Sequence, residues 1–267
     1  MTESFRAPAA RSSVVVMTRI ALITGGSRGL GRSTALHLAN QGVDLVITYR
    51  TGADEAEKVV AQAQELGRTA IALPLDVADA STFAGFAEAV RDALHEHWGR
   101  GNFDFLVNNA GIGRHAPFAE LTEDVFDELV NVHVKGVFFL TQALLPLIAD
   151  GGRIVNVSTG LTRFAIPGYS AYASMKGAVE VLTRYLAAEL GARGIAVNTV
   201  APGPVETDFG GGVVRDNAEL NGFLASRTAL GRVGLPDDIG AAIAALLGDG
   251  NAWITAQRIE VSGGTLL

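Results

Sequence analysis

The chain contains no cysteine, and this absence narrows the chemistry that its 267 residues can support. Without a thiol there is no disulfide framework, no thiolate nucleophile and no cysteine-based metal site. The histidines do not show the spacing of metal ligands either. Only His95 and His97 are close in sequence, and both lie at the polar end of a predicted helix. We therefore predict that the protein has no metal site.

Positive charge and long apolar runs are also scarce. The chain has 21 Lys and Arg against 28 Asp and Glu, a formal net charge of -7, and no basic run that would attract nucleic acid or an anionic membrane. The longest apolar stretch, residues 137–148, is much shorter than a membrane span, and the N-terminal "VVVM" is too short for a signal-peptide core. We expect a cytoplasmic protein that acts on a small molecule and binds neither nucleic acid nor membrane.

Short β-branched stretches alternate with helix-length stretches from Arg19 onward. This alternation is typical of βαβ units, and it predicts the α/β fold class: one Rossmann-type, doubly wound, parallel seven-stranded sheet with helices on both faces. The predicted strands are residues 19–24, 43–49, 69–75, 103–107, 153–158, 194–200 and 257–261. The predicted helices are residues 29–41, 53–66, 79–98, 122–149, 170–192 and 236–248.

The pattern predicts a single catalytic domain over residues 19–267, with no second domain. Residues 1–18 mix Pro, Ala, Ser and Arg, so we expect a loose tail there. Residues 203–235 interrupt the alternation with a long, glycine-rich and weakly helical segment. Because this segment follows the carboxyl end of a strand, where open α/β sheets bind ligands, we predict that it is a substrate lid.

A glycine-rich turn, "TGGSRGLG" at residues 24–31, joins the first predicted strand to the first helix. Glycines at 25, 29 and 31 allow a tight turn and close approach of the backbone to a pyrophosphate, whose charge the helix N-terminus stabilises. The spacing differs from the commoner G-x-G-x-x-G. In this βαβ context, it nevertheless predicts a dinucleotide site.

The end of the second predicted strand indicates which dinucleotide binds. NAD-binding folds commonly carry a carboxylate there, whereas this chain has Tyr49 and Arg50 and no acidic residue before Asp54. A guanidinium matches a 2'-phosphate, and Arg28 in the glycine turn could approach the same group. NADP(H) is therefore favoured over NAD(H), the other interpretation being that Arg50 only faces water.

The stretch "YSAYASMK", residues 169–176, places Tyr169, Tyr172 and Lys176 on one helix face. Helix geometry alone does not choose between the two tyrosines. Several motifs of the chain occur in the order found in the short-chain dehydrogenase/reductase family, which the sequence resembles over residues 19–264. These motifs are "TGGSRGLG" (24–31), "LDV" (75–77), "NNAG" (108–111), "VNVHVKG" (130–136), "YASMK" (172–176), "PGPVET" (202–207) and "SGG" (262–264).

The resemblance assigns catalytic roles to three residues. Tyr172 resembles the family's acid/base, Lys176 its partner, and Asn131 the helix residue that holds a water in a proton relay to the lysine. A lysine ammonium about 4 Å away could in principle lower a phenol pKa towards neutrality. Tyr169 then falls outside the catalytic pattern.

The resemblance also implies which residues contact the cofactor and the substrate. Asp76 would contact the adenine, the turn at 108–111 would flank the ribose, and residues 202–207 would orient the nicotinamide. The cofactor set is Gly25, Ser27, Arg28, Gly29, Leu30, Gly31, Tyr49, Arg50, Asp76, Val77, Asn108, Ala110, Gly111, Tyr172, Lys176, Pro202, Gly203, Val205 and Thr207. The pocket candidates, mainly apolar, are Gly160, Leu161, Phe164, Tyr169 and Phe209.

One departure from the family concerns the group that hydrogen-bonds the substrate oxygen. The family has a serine there, whereas the gapless count back from Tyr172 reaches Thr159, and Ser158 lies one residue earlier. Threonine keeps the hydroxyl and adds a methyl group. We predict that Thr159 is the donor, with Ser158 as the alternative.

Together these features predict an NADPH-dependent oxidoreductase that reduces a ketone, aldehyde or 3-oxoacyl group reversibly. Two alternatives stay open: an epimerase or dehydratase on the same fold, and a non-catalytic NADP-sensing protein. Fold-level analogy implies a homotetramer, or a dimer, in which the helices at 122–149 and 170–192 pack across subunits.

Overall fold

The computed structural model describes residues 18–267, so the predicted tail lies, except for its last residue, outside the described part of the chain. Seven parallel strands form one sheet in the order β3-β2-β1-β4-β5-β6-β7. The strands are β1 Ile20–Ile23, β2 Asp44–Tyr49, β3 Ala70–Pro74, β4 Phe103–Asn108, β5 Ile148–Val157, β6 Ala196–Pro202 and β7 Arg258–Val261. The predicted fold class is confirmed.

Helices cover both faces of the sheet, which explains why the central strands read as continuous apolar runs. Every residue of β1 and of β6 is buried. The α-helices are α1 Gly29–Asn40, α2 Ala53–Glu65, α3 Phe83–Trp98, α4 Glu123–Val130, α5 Gly136–Leu144, α6 Ser170–Leu190, α7 Val213–Asp216, α8 Ala218–Ser226 and α9 Pro236–Leu247.

Two apolar cores hold these layers together. On one face α1, α2 and α9 pack against the strands, with Leu38, Val59 and Ile243 among the buried side chains. On the other face α3, α5 and α6 do the same. Because the chain leaves β1 in one direction along the sheet and later returns to β4 beside it, the carboxyl ends of β1 and β4 open a crevice at the sheet's switch point.

Two predicted elements differ from the structure. The helix predicted over 122–149 is interrupted by one turn of π-helix, Asn131–Lys135, between α4 and α5, and β5 then begins as early as Ile148. In this turn the Gly136 amide donates to the Asn131 carbonyl, five residues back. The backbone is packed tightly here, because a Cβ on Gly136 would lie 2.5 Å from the Val77 carbonyl oxygen. Such π-turns are often found at functional sites.

The helical run Glu123–Leu147 is, by length and composition, long enough to cross a membrane, with a mean hydropathy of 1.3 in its most apolar window. This is weak evidence for a span, because the buried residues of this run include Val137, Leu140 and Leu144, and Leu140 and Leu144 belong to one of the two cores. The predicted lid, residues 203–235, contains the short helices α7 and α8.

Candidate active site

The glycine turn between β1 and α1 is shaped for a phosphate group. Gly25 and Gly29 have φ values of 65° and 54°, in the left-handed region that favours glycine. A side chain at Gly31 would collide with the Gly25 carbonyl oxygen. The first turn of α1 carries no acidic side chain, and the Arg28 side chain makes no capping hydrogen bond. The free amides of a helix N-terminus therefore face the crevice, and this geometry fits the pyrophosphate of a dinucleotide.

Asn109, which the sequence analysis did not single out, holds this turn in place. Its side-chain amide donates to the carbonyl oxygens of Thr24, at 2.8 Å, and Gly25, at 3.1 Å. The backbone amides of Asn109 and Ala110 both donate to the Thr24 hydroxyl at 3.0 Å. One threonine thus ties the end of β4 to the end of β1.

The prediction that Asn108 contacts the cofactor is wrong for its side chain. Asn108 is buried, and its amide donates to Thr141 Oγ1 at 3.0 Å and to Asn156 Oδ1 at 2.8 Å. It therefore joins β4 to β5 and α5 inside the core. Because successive side chains of a strand point to opposite faces, its neighbour Asn109 reaches the crevice instead.

The two arginines predicted to bind the 2'-phosphate remain available for it. Arg28 and Arg50 are both exposed. Among residues 18–267, neither guanidinium forms an ion pair or a hydrogen bond. Asp76, the predicted adenine contact, is also exposed and accepts a hydrogen bond from the Ala78 amide at 2.9 Å.

Tyr172 and Lys176 lie one turn apart near the start of α6, and both are buried, with exposed fractions of 6% and 4%. The Lys176 ammonium donates to the Val157 carbonyl oxygen at 2.7 Å, at the end of β5. Its nitrogen lies 6.0 Å from the centre of the Tyr172 ring. Burial lowers the pKa of Lys176 to about 8, so a substantial share of it stays charged at neutral pH.

The expectation that Lys176 lowers the pKa of Tyr172 is wrong for this structure. Burial raises the pKa of the Tyr172 phenol, a hydrogen bond from Thr159 opposes this rise, and Tyr169 adds to it. Desolvation of the phenolate is the largest of these effects, and Lys176 is not among the causes of the shift in pKa. Tyr172 is consequently a neutral phenol, the form that donates a proton.

Thr159 and Ser158 point in opposite directions, as adjacent residues of an extended backbone do. The Thr159 hydroxyl faces Tyr172. The Ser158 hydroxyl, in a side chain that is 3% exposed, donates to Glu180 Oε1 at 2.7 Å. The structure thus brings Thr159, and not Ser158, to the tyrosine.

A half-buried ionic cluster of Glu180 and Arg258 supports the segment around Thr159. The same oxygen of Glu180 accepts hydrogen bonds from Thr162 Oγ1, at 2.7 Å, and Arg258 Nε, at 2.9 Å. Arg258 also donates to the Thr159 carbonyl oxygen at 3.2 Å. A carboxylate of α6 and a guanidinium of β7 therefore fix the backbone that presents the Thr159 hydroxyl.

Asn131, the residue predicted to hold the relay water, is half-buried in the π-helical turn, and its role stays a prediction; His133, two residues later in the same turn, packs against Tyr172. The His133 ring lies 5.2 Å from the Tyr172 ring, centre to centre, at an angle of 80°. The sequence did not indicate the contact between His133 and Tyr172, because it depends on the tertiary structure.

Three of the predicted pocket residues, Tyr169, Phe209 and Leu161, lie against Tyr172 or in its apolar cluster. Phe209 lies 5.7 Å and Tyr169 lies 6.5 Å from the Tyr172 ring, centre to centre. Leu161 packs in the same apolar cluster. A Cβ on Gly29 would lie 3.7 Å from Thr207, so the start of the lid reaches the glycine turn. Gly160 and Phe164 pack on each other, since a Cβ on Gly160 would lie 2.9 Å from the Phe164 ring.

A family model described as enoyl-(acyl carrier protein) reductase matches residues 25–265. The chain belongs to the short-chain dehydrogenase/reductase family. Tetrahydroxynaphthalene reductase PfmaG of Pestalotiopsis fici is 35% identical to this short-chain dehydrogenase/reductase over 257 residues, which cover 92% of this chain and 91% of PfmaG.

Solved structures of reductases share the fold. Reductase LugOII, which catalyses keto-reduction at C1 during lugdunomycin biosynthesis, superposes with a TM-score of 0.89 at 36% identity, covering 94% of this chain and 99% of LugOII. Angucycline C-6 ketoreductase LanV, solved with bound NADP, superposes with a TM-score of 0.89 at 35% identity. The match covers 94% of this chain and 96% of LanV. The family prediction is confirmed, while the roles of individual site residues stay predictions.

The geometry at residues 158 and 159 predicts opposite results for two substitutions. Thr159→Val keeps the shape but removes the donor to the substrate oxygen, so kcat falls about 100-fold. Thr159→Ser keeps the hydroxyl and is tolerated.

Ser158→Ala leaves Glu180 with two hydrogen-bond donors, Thr162 and Arg258. It therefore lowers the free energy of unfolding by about 1 kcal/mol and changes kcat little. Steady-state assays and thermal unfolding measure these effects; an unaffected Thr159→Val beside an inactive Ser158→Ala would transfer the role to Ser158.

Proposed function

We propose that this short-chain reductase uses NADPH to reduce a ketone borne on a fused aromatic ring system. The observation that carries the proposal is the buried, neutral Tyr172, with Thr159 beside its hydroxyl, Lys176 one turn away and a phosphate-binding turn across the crevice. By their names, LanV is a ketoreductase and PfmaG is a tetrahydroxynaphthalene reductase.

When bound, the nicotinamide supplies the hydride. The residues of the chain supply the rest of the reaction. The Thr159 hydroxyl donates a hydrogen bond to the carbonyl oxygen as negative charge develops on it. The Tyr172 phenol gives this oxygen its proton and completes the alcohol. The charged Lys176, held by the Val157 carbonyl, stabilises the phenolate that remains.

The raised pKa of Tyr172 keeps the phenol in the protonated form that carbonyl reduction uses. An acid that donates a proton must carry it at the working pH, and burial keeps this phenol protonated through the neutral range. Alcohol oxidation requires the phenolate, which the same burial disfavours. The free enzyme therefore carries the proton that reduction transfers to the substrate oxygen.

NADPH fits the crevice better than NADH. The exposed arginines, Arg28 in the glycine turn and Arg50 after β2, provide two positive charges where a 2'-phosphate would lie. Structural relatives were solved with NADP or NADPH bound. The end of β2 carries no carboxylate to favour the free ribose hydroxyls of NADH.

Aromatic rings around Tyr172 support a flat, apolar substrate. Tyr169 and Phe209 contact the Tyr172 ring, and His115 packs edge-on against Tyr169 at 5.0 Å between centres. Offset and edge-to-face contacts with such rings favour polycyclic aromatic ligands. LanV and PfmaG, by their names, act on angucycline and tetrahydroxynaphthalene compounds.

We also propose that the protein forms a homotetramer or dimer through α5 and α6. Phe138, Phe139 and Tyr185 are large hydrophobic side chains of these helices that remain 44%, 45% and 65% exposed. Single scattered apolar residues need no explanation, whereas neighbouring rings on long helices favour an interface. A cytoplasmic location stays a prediction.

A panel of substrates tests the proposed reaction. With NADPH, purified protein should reduce a fused-ring aromatic ketone with a kcat/KM about tenfold or more above that for a small aliphatic ketone. The panel includes an enoyl thioester, because the matching family model is named for an enoyl reductase. NADPH oxidation followed by product analysis is the measurement. Turnover of the enoyl thioester alone, or binding of NADPH without any turnover, would contradict the proposal.

Cofactor preference depends on the proposed Arg50 contact. Arg50→Asp should weaken NADPH and improve NADH, because a carboxylate repels the 2'-phosphate and accepts hydrogen bonds from ribose hydroxyls. We expect the NADPH/NADH ratio of kcat/KM to fall about tenfold or more. Arg32→Asp, on the outer side of α1 where Arg32 bonds Gln62, is the matched control and should leave the ratio unchanged. A wild-type preference for NADH would overturn the assignment.

A further inference from the structure

Arg163 lies four residues after Thr159, in the loop that presents the Thr159 hydroxyl, and takes no part in the proton transfer. Its Nε and Nη2 donate to the two carboxylate oxygens of Glu260, on β7, at 2.7 and 2.9 Å. Its Nη1 and Nη2 also donate to the carbonyl oxygens of Leu266, at 3.1 Å, and Thr265, at 2.5 Å. One guanidinium therefore binds both the edge strand and the residues that follow this strand.

Residues 263–266, which we call the terminal segment, pair with the end of the predicted lid. Thr265 forms an antiparallel bridge with Thr228, and the hydroxyls of these two buried residues lie 2.9 Å apart. The carbonyl oxygens of the terminal segment also accept hydrogen bonds from two lid amides, at 3.2 Å from Ala229 and 3.1 Å from Leu230. A short antiparallel pairing therefore holds this end of the lid.

Two glycines allow the terminal segment to lie very close to the lid. Gly263 and Gly264 have φ values of 62° and 78°, in the left-handed region that favours glycine. A Cβ on Gly264 would lie 2.8 Å from the Ala229 Cβ, which is closer than side chains pack. The terminal segment thus has no room to move towards the lid. Its position depends on the contacts on its other side, where Arg163 binds two of its carbonyl oxygens.

Arg163 thereby connects two walls of the predicted substrate pocket. One wall is the loop of residues 159–164, in which Leu161 packs in the apolar cluster of Tyr172. The other wall is the lid, whose Phe209 ring lies 5.7 Å from the Tyr172 ring, centre to centre. A flat ring system contacts both walls, whereas a small ketone contacts less of them. The separation of the walls therefore affects a fused-ring substrate more than a small one.

The base of the lid is closed by a separate set of hydrogen bonds. The Gly234 amide donates to the Pro204 carbonyl oxygen at 2.9 Å, and the Glu206 amide donates to the Gly234 carbonyl oxygen at 3.0 Å. These bonds lie in the segment that is predicted to orient the nicotinamide, and they do not involve Arg163. Loss of Arg163 should therefore loosen the far end of the lid and leave the cofactor side in place.

We propose that Arg163 is a positioning residue that sets substrate selectivity. By holding the terminal segment, it fixes the end of the lid relative to the loop of Thr159, and this favours a fused-ring ketone over a small one. The inference rests on the proposed function and on the predicted role of the lid. Arg163 acts through the lid and not on the reacting carbonyl, because four of its five N–H donors are engaged by Glu260 and the terminal segment.

Arg163→Ala removes this contact, and Arg193→Ala is the matched control. Arg193 also pairs with a carboxylate, that of Asp150, and donates to two backbone carbonyl oxygens at the start of β5 and just before it. The side chains of Arg163 and Arg193 are both 35% exposed. The two substitutions therefore remove similar sets of contacts, but only Arg163 binds the terminal segment.

At saturating NADPH, Arg163→Ala should raise KM for a fused-ring ketone about tenfold and keep kcat and the affinity for NADPH within about threefold. The ratio of kcat/KM for the fused-ring ketone to that for a small aliphatic ketone should fall about tenfold. Arg193→Ala should change neither value, although thermal unfolding should show a similar loss of stability in both variants. Thr265→Val removes the hydroxyl that bonds Thr228, so it weakens the same contact from the lid side and should lower the ratio about threefold.

Hydrogen exchange of the protein without substrate tests the contact independently of turnover. Arg163→Ala should speed the exchange of the Ala229 and Leu230 amides about tenfold or more, and Arg193→Ala should not. A wild-type protein that reduces no ketone would refute the proposed function, and the exchange rates would still show whether Arg163 holds the lid. Unchanged exchange in Arg163→Ala, unchanged selectivity despite faster exchange, or an equal loss of selectivity in Arg193→Ala would overturn the inference.

Discussion

The hydrogen bond from the Lys176 ammonium to the Val157 carbonyl is the interaction on which the site depends. A buried ammonium is costly unless it is paired, and this one lies between the end of β5 and the start of α6. The bond therefore fixes the position of α6 relative to the sheet. Tyr172, one turn earlier on the same helix, is placed by the same contact, and Thr159 follows two residues after Val157.

Two further sets of hydrogen bonds hold the elements that carry the site. The Glu180–Arg258 pair joins α6 to the edge strand β7 and holds the residues on either side of Thr159. Thr24 and Asn109 join β1 to β4 and shape the phosphate turn. Each connection is a set of hydrogen bonds to backbone atoms or buried side chains, so the reacting groups rest on rigid elements and not on loops alone.

The sequence predicted the parts of the site that depend on local spacing. The glycine turn and the Tyr172–Lys176 pair follow from one βαβ connection and one helix turn, and both lie where they were expected. The choice of Thr159 over Ser158 required only that the strand stay extended, which it does. The sequence did not show which of Asn108 and Asn109 faces the crevice. That depends on which face of the sheet each side chain points to, and this was known only from the structure.

The helix that carries Asn131 and His133 was the hardest part to predict. A regular helix was expected over this segment, and no residue of "NVHVKG" signals a π-turn. Histidines were judged by their spacing as metal ligands, so an isolated one received no attention. Its importance comes from packing against Tyr172 and from burial, which are tertiary properties.

The claim that Tyr172 is the proton donor is tested most directly by transient kinetics of Tyr172→Phe with bound NADPH and an aromatic ketone. Tyr169→Phe, which alters the neighbouring tyrosine, is the matched control. The account predicts that Tyr172→Phe binds NADPH within about twofold of wild type and lowers the reduction rate by about 100-fold or more, while Tyr169→Phe keeps most of that rate. Rapid reduction by Tyr172→Phe, or loss of the rate in Tyr169→Phe alone, would contradict it.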